Sequence, residues 1–226
     1  MNPPASSSTV HRSLPTSWHL ARLRTARSRP SNRDWMPARV PGAVQLDWAR
    51  ARQLPDLDYG QNVTAYAGLE DFHWLYRTNV PAVRLRAHER LAFTGSGIDH
   101  HAEIRIGGQH VATHTGINRP IDLDLTGIAA GTPLEILIHP APKVAGAPAD
   151  RSQAAHTTKA AVSYGWDWHP RLIPLGLAGE IGFVVRPAVH IRHVDFRYEL
   201  ADDFSHAQIH VAVETTEPCG FRWRLR

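Results

Sequence analysis

The stretch Ala102–His114, AEIRIGGQHVATH, contains two runs of alternating apolar and polar residues separated by a pair of glycines. Ile104 and Ile106 alternate with charged residues immediately before Gly107 and Gly108. Alternation with a period of two is typical of a strand with one buried face, and glycine accepts the positive φ angles of a tight turn. The stretch therefore predicts an antiparallel hairpin that turns at the two glycines.

The same period recurs on both sides of this hairpin. It is found in ERLAFTG (89–95), RPIDLDLTG (119–127), TPLEILIHP (132–140) and EIGFVVRP (180–187). Short strands separated by turn residues, with little helix between them, are typical of sandwiches and jelly rolls. The fold class predicted from the residues is therefore all-β.

Helical signals are weak by comparison. The best one is PGAVQLDWARARQLP (41–55), which has a proline near each end. It predicts one or two helical turns, with Val44, Leu46 and Trp48 forming the apolar side.

The alternation restarts after Pro187 and predicts three further strands, at 188–200, 205–216 and 220–226. In the first of them the apolar positions change phase between Ile191 and Val194, which predicts a bulge. Three strands leave an unpaired edge, so we expect a fragment of a longer polypeptide.

The first residues, 1–15, are rich in serine and proline and predict a flexible tail. They lack the apolar centre of a secretory signal, so we expect a cytoplasmic location. The predicted domains are thus the tail at 1–15, a jelly roll at 16–187 and an incomplete sandwich at 188–226.

Composition excludes several classes of function. Hydrophobic residues make up 42% of the 226 residues, which is ordinary for a globular protein, and no apolar run is long enough to predict a membrane span. A single cysteine, Cys219, excludes an internal disulfide framework. Arginines cluster between Arg22 and Arg39, but without the interleaved aromatic residues on which single-stranded nucleic acid stacks, so we predict no nucleic-acid partner.

Catalytic and metal-binding patterns are also missing from the sequence. None of the fifteen histidines is spaced as a third ligand beside His110 and His114, and neither a G-x-S-x-G nor a phosphate-binding loop occurs. Glu70-Asp71 is predicted to lie in a polar turn, and no pair of carboxylates is placed for acid/base chemistry. We therefore predict no catalytic residue, no metal and no cofactor for this chain.

YGWDWHPR (164–171) follows a long aperiodic loop at 143–160. Aromatic faces stack on the C–H faces of sugars, and an ionised carboxylate accepts strong hydrogen bonds from their hydroxyls. Trp166, Asp167 and Trp168 are therefore candidate sugar-binding residues. The alternative is a tryptophan corner in the core, with the aspartate capping a loop.

Four segments, in order, resemble glycoside hydrolase family 2 enzymes of the β-mannosidase type, and the resemblance covers roughly residues 16–187. They are the W…VPG opening at 34–62, the W-x-Y-R block at 68–78, the strand pair at 91–111, and the Y/F-G-W-D-W-G-P-R block at 164–174.

The resemblance implies a galactose-binding-like jelly roll followed by the start of an immunoglobulin-like sandwich. In the full-length form it would pack on a C-terminal (β/α)8 barrel that carries the two catalytic carboxylates of a retaining mechanism. Trp166, Asp167 and Trp168 would bind the terminal β-linked mannose of an oligosaccharide or glycoside, and Arg171 would brace their loop.

The chain differs from the family pattern at His169, where glycine is usual, at 176–180, where a segment with tryptophan is usual, and at Gly107, where asparagine is common. Without the barrel we expect the isolated chain to be inactive. The alternative functions are a stand-alone carbohydrate-binding module and an inactive remnant of a truncated gene.

Overall fold

Two antiparallel β-sheets pack face to face in a computed structural model that describes residues 11–220. The all-β prediction is confirmed. The strands, numbered in chain order, are β1 (Arg12–Leu14), β2 (Trp18–Leu23), β3 (Met36–Ala38), β4 (Gly42–Ala43), β5 (His73–Asn79), β6 (Glu89–Gly95), β7 (Ile98–Asp99), β8 (His101–Ile106), β9 (Gln109–Thr115), β10 (Ile121–Asp124), β11 (Pro133–Ile138), β12 (Gly176–Leu177), β13 (Ile181–Pro187), β14 (Ile191–Leu200) and β15 (Ala207–Thr215). Short 3₁₀ helices lie at Asn32–Asp34, Asn62–Tyr66, Leu69–Asp71, Arg151–Ala154 and Ala161–Tyr164.

One sheet has four strands in the order β1-β13-β6-β10, and the other has six in the order β3-β2-β5-β11-β8-β9. In a small third sheet, β4-β12-β7, strand β12 of the long connection from β11 to β13 pairs with β4 on one side and β7 on the other. Strands that are distant in sequence, such as β6 and β13, therefore become hydrogen-bonded neighbours.

The main core lies between the two large sheets. Trp18 of the six-stranded sheet approaches Phe93 of the four-stranded sheet, with ring centroids 6.2 Å apart, and Phe93 contacts Phe183 at 5.3 Å. Leu134, Ile136 and Ile138, predicted to share a face, are all fully buried. Alternate side chains of each strand thus fill the core, as the period of two requires.

A second apolar cluster covers the other face of the six-stranded sheet. Leu23, Leu75 and Leu137 are buried there against Ala26 and Trp35. The middle of β5 and of β11 is consequently buried on both faces, which the alternating pattern alone does not predict.

The hairpin predicted at Gly107 and Gly108 is confirmed. These residues join β8 to β9 with φ angles of +57° and +82°, in the region that favours glycine. The pairing of β8 with β9 shifts register between Ile104 and Arg105. His114 is buried whereas His110 is exposed, so these two histidines lie in different environments.

One α-helix, Val44–Arg52, occurs in residues 11–220 and is slightly longer than predicted. Val44, Asp47 and Trp48 turn towards the domain, as the i, i+3, i+4 spacing requires. The prediction of an apolar side that includes Leu46 is wrong, because Leu46 is exposed and the buried Asp47 accepts a hydrogen bond from the Arg39 amide at 3.1 Å. Nothing in residues 11–220 forms a helix with the length and apolar character needed to cross a bilayer.

The first strand begins before the predicted domain boundary at residue 16. Arg12–Leu14, which the sequence placed in a flexible tail, pair with Phe183–Val185 at the edge of the four-stranded sheet. Backbone hydrogen bonds form this strand, so three residues without an apolar period suffice and leave little signal in the sequence. The remainder of the predicted tail, residues 1–10, lies outside the described residues.

After Pro187 the chain forms the two-stranded sheet β14-β15. Its register shifts between Ile191 and His193, where the change of apolar phase predicted a bulge. Phe196, Tyr198 and Val211 in this hairpin are more than half exposed. The third predicted strand, at 220–226, lies almost entirely outside the described residues.

We predict that Ile136→Ala lowers the free energy of unfolding by about 2–5 kcal/mol, because it leaves a cavity between the two sheets. Urea unfolding followed by tryptophan fluorescence measures this loss. The control is Val111→Ala on β9, where the side chain is 43% exposed. Equal losses for the two variants would contradict the assignment of Ile136 to the core.

Candidate functional site

Residues 165–169 form a tight hairpin that projects from the long connection between β11 and β13. The Trp166 amide donates to the His169 carbonyl at 2.9 Å, and the His169 amide donates back to the Trp166 carbonyl at 3.2 Å. Gly165 has φ +111°, a conformation that side chains rarely adopt, and so allows the chain to enter the turn. Asp167 and Trp168 therefore lie at the tip.

The tip presents an aromatic ring and a carboxylate to solvent. Trp168 is 73% exposed, and its ring lies 5.3 Å from that of the half-buried Trp166, with the ring planes inclined at 49°. Asp167 is exposed. An indole that is exposed to this degree offers a flat apolar surface next to a hydrogen-bond acceptor. The alternative of a tryptophan corner in the core does not fit Trp168.

The base of the hairpin is fixed to the domain. Tyr164 is fully buried, its hydroxyl donates to the Pro142 carbonyl at 2.6 Å, and burial raises its pKa to about 12. On the other side, the Leu172 amide donates to the Ser163 carbonyl at 3.0 Å. The tip is therefore exposed while its two ends are held, which limits the conformations available to the tryptophans.

Arg171 braces the hairpin, as the family resemblance implied. Its guanidinium donates to the Tyr164 carbonyl at 3.2 Å, to Gln153 Oε1 at 2.9 Å and to Glu70 Oε1 at 3.3 Å. Lys143 Nζ lies 3.4 Å from the same oxygen of Glu70. One buried carboxylate thus joins two cations that are distant in sequence.

The placement of Glu70 in a polar turn is wrong. Glu70 lies in the 3₁₀ helix Leu69–Asp71 with 7% of its surface exposed, whereas its neighbour Asp71 is exposed. Its burial depends on Arg171 and Lys143, which compensate the loss of water around the carboxylate. Because both partners are far away in the chain, the local sequence carries no signal for this network.

A second buried ion pair holds the connection before the hairpin. Lys159 Nζ lies 2.7 Å and 2.6 Å from the two oxygens of Asp99 and donates to the Pro174 carbonyl at 2.5 Å. Burial lowers the pKa of Lys159, and the Asp99 carboxylate counteracts part of this shift. Sequence reasoning missed Lys159, although it is one of only two lysines among 25 basic residues.

His100 lies next to this ion pair, and three further buried or partly buried histidines lie on strands or strand ends of the six-stranded sheet. His100 Nε2 lies 3.1 Å from Thr158 Oγ1, and His114 donates to the Gly116 carbonyl at 2.8 Å. Burial lowers the pKa of both, and also that of His73 and His139. Within residues 11–220, no group of three or more histidine, cysteine or acidic side chains is arranged to hold a metal ion.

Arg151 adds a cation to the hairpin. It opens the 3₁₀ helix Arg151–Ala154, which Asp150 caps by accepting a hydrogen bond from the Ser152 amide at 2.8 Å. The guanidinium of Arg151 lies 4.1 Å from the centroid of the Trp166 ring. The local sequence alone gives no indication of this contact, because fifteen positions separate the two residues.

The chain belongs to the family described as "Glycosyl hydrolase 2 galactose-binding domain-like", whose pattern matches residues 18–179. The match covers the six-stranded sheet, β6 and β10 of the four-stranded sheet and the Trp-Asp-Trp hairpin, and it confirms the galactose-binding-like fold inferred from the sequence. No curated protein sequence matches the chain.

Solved structures of glycosidases share this fold. A β-D-mannosidase from Dictyoglomus thermophilum superposes with a TM-score of 0.68 and 20% identity, over 91% of this chain and 26% of that one. A β-glucuronidase from Bifidobacterium dentium, complexed with coumarin-3-O-glucuronide, gives 0.61 and 19%, over 94% and 37%. One from Faecalibacterium prausnitzii gives 0.60 and 19%, over 96% and 37%. The chain thus spans between 26% and 37% of these proteins.

We predict that Lys159→Met lowers the free energy of unfolding by about 3–5 kcal/mol, because Asp99 is left charged and buried without a partner. The double variant Lys159→Met/Asp99→Leu is expected to recover most of this loss in chemical unfolding experiments. Arg192→Met, which alters an exposed pair with Glu214, serves as the control and should change stability by less than about 1 kcal/mol. A single-variant loss no larger than this control would contradict the buried pair.

We predict that stability falls as the pH decreases from about 7 to 5, where the ordinary histidine pKa near 6.5 lies. The four histidines with lowered pKa values stay neutral in the folded state while the unfolded chain takes up protons. Asp47 counteracts this trend, because burial raises its pKa.

The pH dependence is measured by urea unfolding at a series of pH values. His114→Gln should reduce the slope, whereas His210→Gln, on an exposed position of β15, should leave it unchanged. A slope that is the same in all three proteins would contradict the role of His114.

Proposed function

We propose that this chain is the N-terminal, sugar-binding part of a β-mannosidase-like exo-glycosidase. The observation that carries the proposal is the exposed Trp168 beside Asp167, at the tip of a hairpin whose base is fixed. The indole offers a stacking surface for the C–H face of a pyranose, and the carboxylate accepts hydrogen bonds from two hydroxyls. A terminal β-linked mannose is the proposed ligand, and no nucleic acid, membrane or cofactor takes part.

In this proposal the hairpin supplies one wall of a site, and the chemistry takes place elsewhere. Asp167 and Trp168 contact a ligand from one side, which is suited to orienting a sugar. The acid/base and the nucleophile would be carboxylates of a C-terminal barrel, which retaining glycosidases place about 5–5.5 Å apart. The isolated chain is therefore expected to hydrolyse no glycoside. The cytoplasmic location expected from the sequence stays a prediction.

The proposal is tested on the native polypeptide, captured from its source cells with an antibody against residues 16–187. A mass several times that of this chain, together with hydrolysis of an aryl β-mannoside, would support it. Hydrolysis of aryl β-glucuronides alone would support a glycosidase of different specificity. A polypeptide of about the size of this chain, without hydrolytic activity, would refute the proposal that the chain is part of an enzyme.

One observation favours a stand-alone carbohydrate-binding module as the second candidate. Tyr164, Arg171 and Glu70 brace the hairpin through hydrogen bonds within the domain. A surface that is already ordered loses less entropy on binding. Millimolar binding of methyl β-mannoside to the isolated chain, seen by saturation-transfer NMR, would support the module. Binding only when further domains are attached would support the enzyme.

We predict that Asp167→Ala in the native polypeptide lowers kcat/KM for an aryl β-mannoside on the order of a hundredfold, because an oriented charged contact to the sugar is lost. Asp202→Ala, in the exposed turn between β14 and β15, is the control and should keep the activity. Near-normal kcat/KM in Asp167→Ala would contradict the assignment.

A further inference from the structure

Arg151 is the one charged group found stacked on the tryptophan hairpin in residues 11–220. The 3₁₀ helix that carries it is anchored two residues later, where Gln153 accepts a hydrogen bond from Arg171 at 2.9 Å, and by the buried Ala154. Arg171 also braces the hairpin, through the Tyr164 carbonyl. Arg151 and Trp166 are therefore positioned by a common support, which favours a preformed arrangement.

The guanidinium is free to bind a ligand. No carboxylate in the described part of the chain forms an ion pair with it; the neighbouring Asp150 accepts a hydrogen bond from the Ser152 amide instead, and its pKa is lowered by hydrogen bonds from Ser152 and, to a smaller extent, by the charge of Arg151. Stacking on Trp166 covers one face of the planar group, but its N–H donors lie in the plane and remain available at its edge. Such an edge matches the two oxygens of a carboxylate.

The distances bring this cation close to the proposed sugar surface. The guanidinium lies 4.1 Å from the Trp166 ring, and that ring lies 5.3 Å from Trp168. A disaccharide that places one unit on Trp168 would extend far enough for its second unit to reach Arg151. The site thus presents an anion, Asp167, and a cation, Arg151, next to the same aromatic pair.

We propose that Arg151 is a specificity-determining residue that binds the carboxylate of a uronic acid next to the terminal sugar. Asp167 would repel a carboxylate on the terminal sugar itself, so that sugar is neutral and the acidic unit follows it. The ligand class is an acidic oligosaccharide with a neutral, mannose-type end. This inference rests on the proposed function of the hairpin and adds the chemistry of the second sugar.

The test compares two disaccharides that differ in one carboxylate, β-mannosyl-(1→4)-glucuronate and β-mannosyl-(1→4)-glucose. Their dissociation constants for the native polypeptide are measured by saturation-transfer NMR of the sulfur-linked forms, which are not hydrolysed, at low salt and in 0.5 M salt, a concentration on the order of that which screens exposed charges. We expect about fivefold tighter binding of the glucuronate, lost at high salt. Methyl β-glucuronide, with its carboxylate on the terminal sugar, should bind more weakly than methyl β-mannoside.

Variants at position 151 distinguish the effect of the arginine charge from an effect on the structure of the site. Arg151→Gln should abolish the preference for the acidic disaccharide and keep the affinity for the neutral one, and Arg151→Lys should keep part of the preference. Arg84→Gln, at an exposed position away from the hairpin, is the matched control and should behave as wild type.

Equal affinities for the two disaccharides, or a preference that survives Arg151→Gln, would overturn the inference and leave the proposed function intact. Tighter binding of methyl β-glucuronide than of methyl β-mannoside would overturn the placement of the acidic unit. Failure of the native polypeptide to bind either disaccharide would also overturn the inference, whereas the proposed function is decided separately by its hydrolysis of an aryl β-mannoside.

Discussion

The long connection between β11 and β13 has to be held in place without a large sheet to pair with. Buried backbone groups need hydrogen-bond partners, and in this region side chains provide many of them. Lys159 joins the connection to Asp99, Gln45 donates to the Ile173 carbonyl at 2.7 Å, and Arg171 closes the loop at Tyr164. The position of the tryptophan hairpin therefore depends on these side-chain contacts.

The two large sheets and the connection are stabilised by different kinds of interaction. The sheets are stabilised by apolar burial between Trp18, Phe93 and their neighbours, which is non-directional and tolerates apolar substitutions that conserve volume. The connection is stabilised by ion pairs and hydrogen bonds that are strong only when each partner is present. A binding surface that needs fixed side chains benefits from directional contacts of this second kind.

Much of the fold could be predicted from the sequence, because a period of two is a local property. The hairpin at Gly107 and the shared face of Leu134, Ile136 and Ile138 follow directly from it. The edge strand Arg12–Leu14 could not be predicted, since backbone pairing with β13 forms it. The burial of Leu137 on the second face depends on residues 26 and 35, which lie a hundred positions away.

The residues of the candidate site also fall into two groups, those that the sequence indicates and those that only the fold brings together. Trp166, Asp167 and Trp168 stand out because they are adjacent and chemically unusual. Glu70, Asp99 and Arg151 do not stand out, because their importance arises from partners brought close by the fold. Similarity to solved structures at about 20% identity establishes the fold, whereas the sugar and its linkage have to be argued from the side chains at the tip.

The burial of Lys159 also provides a way to observe motion in the connection. The chain has two lysines, and the amine of this one is enclosed by Asp99 and the Pro174 carbonyl. An amine-reactive label can reach it only when the segment leaves the sandwich. The labelling rate of Lys159, followed by mass spectrometry, therefore reports the local opening that would also release the tryptophan hairpin.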